Sequence, residues 1–310
     1  MASAGPNCRI ILTTQGSYHG TTIATMAASG NAENMHFVRE LDPLFVRLPP
    51  TPDGDLERSD AFVAELVATI ERVGADRIAA FMSEPIPVTW GLRRPHADHW
   101  RKVKETLHEY GILYITDEVL SGFGRTGKLF AQNYFDVTGD LITLSKGLSS
   151  GYAPISACVA SEQVAAAFEN YGPRALRHMG TYTAHATGCS VAMRAIDIIE
   201  DEGLVENSRV QGERLGRGLE RIAAAHGDRV QAPSGLGLFW TITLEADGER
   251  EMAREVLAAS RERGMILQAW GDVLYLYLPL VVTAEQVDEV LAILADSFDD
   301  VLGAGRLAEK

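Results

Sequence analysis

The sequence has few cysteines, no long apolar run and no excess of positive charge. It contains 3 cysteines in 310 residues. This odd number, without the short spacings of a zinc site, predicts free thiols rather than a disulfide framework or a structural metal. No run of about 18 apolar residues occurs, and the first residues lack the apolar core of a signal peptide. We therefore expect a cytoplasmic protein with no metal and no membrane segment.

Acidic residues outnumber basic residues. There are 42 aspartates and glutamates against 28 lysines and arginines, which gives a formal net charge of −14. No basic block is present that would follow a phosphate backbone, so nucleic acid is not expected as a partner. Hydrophobic residues make up 46% and charged residues 23% of the chain, as in ordinary globular proteins long enough to form two domains.

Apolar runs typical of buried strands alternate with helical patterns in the first two thirds of the chain. The strand-like runs are 9–14, 78–83, 111–116, 141–145 and 155–160, and the helical patterns between them are 59–73 and 97–110. This alternation predicts an α/β fold with a mostly parallel sheet. Because the run at 155–160 follows the preceding strand closely, we expect it to be an antiparallel neighbour.

The pattern changes to longer helices and a separate group of strands toward the C-terminus. Helices are predicted at 191–202, 205–225 and 249–263, and strands at 236–244, 265–269 and 273–278. A capping box, Thr283 to Gln286, is expected to open a last helix. We predict a large domain over residues 1–203 and a smaller α+β domain over residues 204–310.

An acid and an amine follow two of the predicted strands. Asp117 comes directly after the run 111–116, and Lys146 directly after the run 141–145. In open α/β sheets, ligands bind outside the carboxyl ends of the strands, so both side chains are expected in one crevice. Either residue alone is more often a helix cap or a solvated surface group. Together, a buried amine and a carboxylate suit a carbonyl cofactor with a basic ring nitrogen, such as pyridoxal phosphate.

A glycine pattern at 122–127 matches the G-x-G-x-x-G fingerprint of dinucleotide-binding folds. That fingerprint needs a strand directly before it and a helix opening within it. Here five residues, 117–121, separate the predicted strand from Gly122, and Asp140, about 20 residues on, precedes a strand instead of ending one. The context argues against a nicotinamide cofactor.

Several motifs in the correct order resemble one enzyme family. They are the segments 115–127 and 145–154, with 29 residues from Asp117 to Lys146, together with Tyr18-His19-Gly20, Ser83-Glu84-Pro85-Ile86 and residues 178–185. These segments closely resemble the signature of class III aminotransferases, which are pyridoxal-phosphate enzymes of fold type I. The resemblance implies that fold and that cofactor.

The resemblance also implies a role for each matching residue. Lys146 would form a Schiff base with the cofactor and move the proton during catalysis, and Asp117 would pair with the pyridine nitrogen. Val119 and Tyr18 would contact the two faces of the ring. Thr181 would bind the phosphate of the partner subunit's cofactor, which implies a homodimer.

Two further residues, His19 and Glu84, match the family's cofactor site. For Glu84, an acid that precedes a proline, the role of a turn residue is a common alternative. The resemblance implies a transaminase that moves an amino group from an amine or ω-amino acid to a 2-oxo acid such as pyruvate. Both substrates are small molecules.

The substrate branch is indicated by a few positions. Ala284 stands where the amine:pyruvate branch commonly carries an arginine, and Leu120 stands where ornithine-type members carry glutamine. Three arginines, Arg93, Arg94 and Arg125, are the remaining candidates for binding a substrate anion. The chain thus resembles the amine and ω-amino-acid branch more than the ornithine branch.

The family normally begins with a longer segment that contains a Gly-Ser helix N-terminus against the phosphate. Residues 1–9 do not match that segment. One alternative expectation is therefore a truncated, impaired or non-catalytic member of the family. Another is a sister reaction on the same cofactor, such as decarboxylation or aminomutation.

Overall fold

The computed structural model of the chain describes residues 8–30, 38, 43–89, 91–169, 176, 178, 180–245 and 251–303. These residues form two compact units. Unit 1 takes residues from 1–89, 94–123 and 130–198, and unit 2 takes residues from 90–93, 124–129 and 199–310. The predicted domain division at residue 203 stays a prediction.

Unit 1 is built on a six-stranded sheet. Its elements are β1 Ile10–Thr14, α1 Ile23–Ala28, β2 Phe45–Leu48, α2 Leu56–Val73, β3 Ile78–Ser83, α3 His99–Glu109, β4 Leu113–Asp117, β5 Leu141–Leu144, β6 Ala157–Ala160, α4 Glu162–Glu169 and α5 Ala186–Asp201. The strand order is β2-β1-β3-β4-β5-β6. All neighbouring pairs are parallel except β5 and β6, which are antiparallel. The predicted mostly parallel α/β sheet and the antiparallel β6 are both confirmed.

Three short elements of unit 1, namely α1, β2 and α4, were not predicted from the sequence. In β2, a charged residue interrupts the apolar pattern. Arg47 turns back toward α1, where its Nη2 donates to the carbonyl oxygen of Ala27 at 2.5 Å. Because the guanidinium donates a hydrogen bond to the main chain of α1, the strand can contain an arginine whose charged group is not buried in the core.

Two helices, α2 and α3, bury their apolar stripes in unit 1. The side chain of Asp55 caps α2 by accepting the backbone N–H of Arg58 at 2.8 Å. On the buried faces, aromatic side chains from α2, β3, α3 and β4 meet in what we call the aromatic cluster: Phe62, Phe81, His99, Trp100 and Tyr114. The indole N–H of Trp100 donates to the carbonyl oxygen of Pro85 at 2.9 Å, so its one polar atom is satisfied.

Unit 2 is a four-stranded antiparallel sheet with helices. Its elements are α6 Leu204–His226, β7 Ser234–Leu236, β8 Phe239–Thr243, α7 Met252–Glu262, β9 Gln268–Trp270, β10 Val273–Tyr277 and α8 Ala284–Leu302, and its strand order is β7-β8-β10-β9. The strand predicted at 236–244 is present in part, as β8, whereas Leu236 belongs to β7. A turn at Gly237, whose φ is +54°, divides the segment into the β7–β8 hairpin.

The last helix, α8, begins as predicted. The side chain of Thr283 accepts the backbone N–H of Gln286 at 3.3 Å, and the backbone N–H of Thr283 donates to the Gln286 side chain at 3.0 Å. Both halves of the predicted capping box are therefore present. The predicted start of the helix at 249–263 lies outside the described residues, and α7 is described from Met252.

Metal-binding clusters and membrane-spanning helices are both absent from the described part of the chain. Within it, no group of three or more histidine, cysteine, aspartate or glutamate side chains is placed to hold a metal ion. Nor does any described helix combine the length and the apolar character needed to cross a membrane. The three cysteines, Cys8, Cys158 and Cys189, are free.

Candidate active site

Three neighbouring parallel strands of unit 1, β3, β4 and β5, place charged side chains at the same edge of the sheet. Asp117 is the last residue of β4, Glu84 follows β3 directly, and Lys146 lies two residues after β5. The pairing of Ser83 with Thr116 and of Asp117 with Thr143 aligns these strand ends. Because the carboxyl ends of parallel strands share one edge, the side chains that follow them surround a common crevice.

A cavity of about 240 Å³ opens in unit 1 at this edge. The lining residues that were predicted from the sequence are Tyr18, His19, Glu84, Asp117, Val119 and Lys146. Five others complete the lining, namely Gly20, Ile86, Val88, Leu120 and Ser121. The structure thus brings together six of the predicted site residues, from four separate segments of the chain, around one cavity.

Asp117 is buried at the base of this cavity and bound on both carboxylate oxygens. Only 6% of the residue is exposed. Its Oδ2 lies 2.7 Å from Nδ1 of His19, and its Oδ1 accepts the backbone N–H of Val119 at 3.0 Å. The second contact closes a tight turn directly after β4 that turns Val119 toward the cavity. A carboxylate held in this way keeps a fixed orientation.

The imidazole of His19 has one bound nitrogen and one unbound nitrogen. Its side chain is fully buried, and Nε2 has no hydrogen-bond partner among the described residues. The backbone N–H of His19 donates to the hydroxyl of Ser29 at 2.9 Å, which ties the residue to the end of α1. An unsatisfied buried polar atom in a cavity wall is a feature that a bound ligand or water would satisfy.

Gly20, the next residue, has a backbone conformation that a side chain would strain. Its φ is +125°, and a Cβ placed there would come within 2.9 Å of the Thr25 hydroxyl oxygen. A larger residue would therefore disturb the short connection between β1 and α1. This connection carries both Tyr18 and His19 to the cavity. Tyr18 itself is 40% exposed, which leaves part of its ring free.

Lys146 occupies a left-handed backbone conformation. Its φ is +42°, and it begins a single turn of 3-10 helix, Lys146–Leu148. Lysine at positive φ is strained by roughly 1–2 kcal/mol. The side chain lines the cavity and is otherwise exposed, so the expected burial of the amine is wrong for this structure. The next residue must be small, because a Cβ at Gly147 would lie 2.9 Å from the Cβ of Phe123.

Glu84 lines the cavity from a buried position. It is 6% exposed, and its Oε1 accepts the backbone N–H of Tyr18 at 2.7 Å. Burial raises the pKa of Glu84 to about 7, with the negative charge of Asp117 adding to the rise and His19 and Lys146 opposing it. The carboxyl therefore exchanges its proton close to neutral pH.

A further buried acid, Glu118, was not singled out by the sequence. It is fully buried and accepts the hydroxyl of Ser121 at 2.6 Å and the backbone N–H groups of Ala131 at 3.1 Å and Gln132 at 2.7 Å. Burial raises the pKa of its carboxyl above the usual range. These contacts hold the loop that follows Asp117. Three donors on a carboxylate cannot be foreseen from the pattern, because two of them come from main-chain groups 13 and 14 residues away.

Two predicted binding residues lie elsewhere. Thr181 is exposed and is not among the residues that line the cavity, so its proposed role toward a partner subunit stays a prediction. The guanidinium of Arg125 is engaged in part by main-chain oxygens, and its role as an anion partner stays a prediction. Its Nη1 donates to the main-chain oxygens of Leu238, at 3.1 Å, and of Leu278, and burial lowers the pKa of the guanidinium. Within unit 2, Arg125 therefore joins the main chains beside β8 and β10.

Known proteins resemble this chain along most of its length. The taurine–pyruvate aminotransferase of Bilophila wadsworthia is 32% identical over 309 residues, which cover 92% of this chain and 67% of that protein. The diaminobutyrate–2-oxoglutarate transaminase of Halomonas elongata is 32% identical over 313 residues, covering 93% of this chain and 66% of that protein. The chain thus spans about two thirds of the length of these relatives.

Solved structures show the same relation. A transaminase from the marine bacterium Virgibacillus superposes with a TM-score of 0.90 at 30% identity, over 96% of this chain and 69% of that one. An (S)-enantioselective ω-transaminase from Thermomicrobium roseum gives 0.88 at 32% identity, with the same two coverages of 96% and 69%. Likeness at this level confirms the fold expected from the sequence, that of transaminases of fold type I. Since residues 2–298 also match the family model described as aminotransferase class-III, the chain belongs to the class III aminotransferases.

Proposed function

We propose that this chain is a pyridoxal-phosphate-dependent transaminase that moves an amino group from an amine or ω-amino acid to a 2-oxo acid such as pyruvate. The observation that carries the proposal is the cavity at the carboxyl ends of β1, β3, β4 and β5, which brings Asp117, His19 and Lys146 together. Membership of the class III family supports the reaction type.

The side chains present fit the cofactor. When bound, pyridoxal phosphate supplies an aldehyde that reacts with amines and a ring that withdraws electrons from the reacting carbon. Asp117 is a fixed, buried carboxylate suited to a protonated ring nitrogen, and Lys146 is an amine suited to the aldehyde. Val119 and Tyr18 line the same cavity and offer apolar surface to a flat ring.

Asp117 would act by keeping its negative charge fixed. Its two oxygens already contact Nδ1 of His19 and the N–H of Val119, so the carboxylate needs little reorganisation when it binds a cation. His19 would orient that carboxylate and, through its unpartnered Nε2, bind one further polar group in the cavity. Both residues would thus preorganise the site rather than exchange protons with the substrate.

Lys146 would hold and move the proton. Its exposed position at the cavity gives Nζ access to a substrate carbon, while the strained turn at Lys146 fixes where the side chain leaves the backbone. We assign to Nζ the removal of a proton from the amino-bearing carbon of the donor and the return of a proton to the acceptor. A positioned base of this kind contributes roughly 10²–10⁴ in rate.

The proposed substrate class is supported by the similar proteins and by the residues that line the cavity. A taurine–pyruvate and a hypotaurine/taurine–pyruvate aminotransferase are 32% and 31% identical to this chain. Several structural neighbours are described as ω-transaminases. The part of the cavity beyond the proposed cofactor residues is lined by Ile86, Val88 and Leu120, which suits the aliphatic portion of an amine donor.

The test compares the unmutated chain with Lys146→Ala and with Lys128→Ala, a variant of an exposed lysine outside the cavity. Each protein is mixed with pyridoxal phosphate, its absorbance spectrum is recorded, and alanine formation from pyruvate is measured with an ω-amino acid donor. We expect a protein-bound absorbance band and alanine formation in the unmutated chain and in Lys128→Ala. Lys146→Ala is expected to lack the band and to lose roughly 10²–10⁴ in rate.

The alternatives correspond to different results. A band without any turnover would indicate an impaired member of the family. Release of carbon dioxide, or migration of the amino group within one molecule, would indicate a decarboxylase or an aminomutase. Absence of the band in a folded, unmutated protein would overturn the proposal.

We further propose that two chains form a homodimer in which Thr181 binds the phosphate at the partner's site. The exposure of Thr181 in the single chain, next to Tyr182 with 80% of its surface exposed, supports this arrangement. Mixing Lys146→Ala chains with Thr181→Ala chains gives one intact site per mixed dimer, so activity should return. If the mixture stays as inactive as each variant alone, Thr181 does not act across an interface.

The proposed location is the cytoplasm. The free state of Cys8, Cys158 and Cys189 supports a reducing compartment. Small-molecule amino donors and 2-oxo acids are the proposed partners. Fractionation of cells that produce the tagged protein, followed by immunoblotting of each fraction, tests this location directly.

A further inference from the structure

Glu84 joins the ends of two neighbouring strands through a single contact. It follows β3, and its Oε1 accepts the backbone N–H of Tyr18, which lies 66 residues earlier in the chain after β1. The donor and acceptor are 2.7 Å apart, and Glu84 is almost completely buried. A hydrogen bond from a main-chain N–H to a buried carboxyl fixes the backbone itself and not only a side chain.

The segment held by this bond contains two residues that line the cavity. Tyr18 and His19 are adjacent, and the second tie of the segment is the donation from the backbone N–H of His19 to Ser29. Gly20 comes next and has the permissive backbone of a glycine at positive φ. The position of the Tyr18 ring and of the His19 imidazole therefore depends on the Glu84 contact on one side and on the Ser29 contact on the other.

Glu84 faces charged groups from each strand end around the cavity. They are His19 from the loop after β1, Asp117 at the end of β4, and Lys146 after β5. Asp117 already has the His19 imidazole and the Val119 N–H as partners. For Glu84, the described contacts give one donor, the neutral N–H of Tyr18. An ionised form of Glu84 is thus less well satisfied than the ionised form of Asp117, which is consistent with a proton exchange near neutral pH.

We propose that Glu84 is a positioning residue that holds the Tyr18–His19 segment through the Tyr18 backbone N–H, and that loss of its proton strengthens this hold. This inference rests on the proposed function only in assigning the segment to the cofactor. A carboxylate accepts a hydrogen bond about twice as strongly as a neutral acceptor, so the backbone at Tyr18 tightens as pH rises through the neutral range. Cofactor binding, where it occurs, becomes pH-dependent for the same reason.

The first measurement is hydrogen exchange of the Tyr18 amide in the full chain without cofactor. Protection is expressed relative to the intrinsic exchange rate at each pH, between about pH 5.5 and pH 8.5. In the unmutated chain we expect protection to rise roughly tenfold, with a midpoint near neutral pH. Glu84→Gln keeps an oxygen acceptor but cannot ionise, so its protection should stay at the lower level throughout the range.

Two further variants separate positioning from a general loss of structure. Glu84→Ala removes the acceptor and should lower protection at every pH. Glu109→Gln changes an exposed glutamate at the end of α3 and should reproduce the unmutated profile. Exchange of the β4 amides in the same samples shows whether each variant is folded. A Glu84→Gln protein that keeps the pH-dependent rise while β4 remains protected would overturn the proposal, and so would a flat profile in the unmutated chain.

The second measurement is the affinity for pyridoxal phosphate across the same pH range, followed by quenching of tryptophan fluorescence. The difference in affinity between the unmutated chain and Glu84→Gln should grow from low to high pH. If the amide profile behaves as expected but no variant binds the cofactor, the positioning role stands and the proposed function fails. If the cofactor binds with the same pH dependence in both proteins, the proposed function stands and the role of Glu84 is overturned.

Discussion

Two histidines of unit 1 are fully buried, and they lie in opposite surroundings. His19 lines the cavity, with Nδ1 at 2.7 Å from a carboxylate oxygen of Asp117. His99 lies in the aromatic cluster, with ring centroids 5.0 Å from Phe62 and 4.4 Å from Trp100, and neither of its nitrogens has a hydrogen-bond partner in the described part of the chain. The same side chain is therefore held by a charge in one region and by packing alone in the other.

The difference shows that the two regions have different roles in unit 1. Asp117 and Glu84, which line the cavity, and Glu118, which follows Asp117 in the chain, are buried acids whose positions are set by directional hydrogen bonds. In the aromatic cluster, stability comes from the removal of large apolar surfaces from water, and exact bond directions matter less. Changes in the cluster should therefore affect folding, whereas changes at the cavity should affect binding.

The largest expected effect tests the packing side of this comparison. Trp100→Ala removes a fully buried ring and leaves the carbonyl of Pro85 without its donor. We expect the free energy of unfolding, measured by urea denaturation, to fall by about 3–5 kcal/mol. Tyr152→Ala, at a tyrosine that is 87% exposed, serves as the control and should change it by less than about 0.5 kcal/mol. A loss below about 1 kcal/mol at Trp100 would show that the cluster is not a main source of stability.

The next effect tests the cavity side. Asp117→Asn keeps the shape of the side chain and removes its charge, which weakens its bonds to His19 and to any cation in the cavity. Because a hydrogen bond to a charged group is worth about 1.5–3 kcal/mol, we expect the affinity for pyridoxal phosphate to fall roughly 10- to 100-fold. Fluorescence titration measures this change, with Asp228→Asn at an exposed aspartate of unit 2 as the control. Equal affinities in the two variants would contradict the role given to Asp117.

The smallest effect concerns the dependence of stability on pH. Burial lowers the pKa of His99 to about 3, from an ordinary value of 6.5. The unfolded chain therefore binds a proton at this histidine below pH 6.5, whereas the folded chain does not, so stability is lost as the pH falls. This loss is about 1.4 kcal/mol per pH unit, or about 2 kcal/mol between neutral pH and pH 5.

Two variants isolate that contribution. His99→Leu should lose less stability on acidification than the unmutated chain, by about 2 kcal/mol at pH 5. His185→Gln, at an exposed histidine, should keep the unmutated dependence. Urea denaturation at several pH values gives the comparison. If His99→Leu retains the full loss at low pH, other groups are responsible for it.

The strands that position the site residues could be predicted, because strands of this kind depend on local sequence patterns. The apolar runs of β1, β3, β4 and β5 are continuous, and the residues after them reach the same edge through the geometry of parallel strands. The capping box at Thr283 is likewise a local signal. In contrast, the first strand of the hairpin at Gly237 was missed because its three residues, Ser234, Gly235 and Leu236, show no apolar pattern typical of a strand.

The contacts that complete the site could not be predicted, because they join distant main-chain groups. The bond from the Tyr18 N–H to Glu84 spans 66 residues, and the bonds to Glu118 come from the backbone of another loop. Backbone donors carry no sequence signature. The exposure of Lys146 depends in the same way on how the Gly/Ser-rich turn after β5 folds, which its composition does not determine.

Because Lys146 has a positive φ, stability and catalysis favour different residues at position 146. Glycine would occupy this backbone conformation without strain, so Lys146→Gly should recover part of the conformational energy that lysine costs there. The same substitution would remove the only function proposed for the position. A random search for more stable variants would therefore be drawn toward glycine at residue 146, and a screen that measures melting temperature alone would select inactive protein.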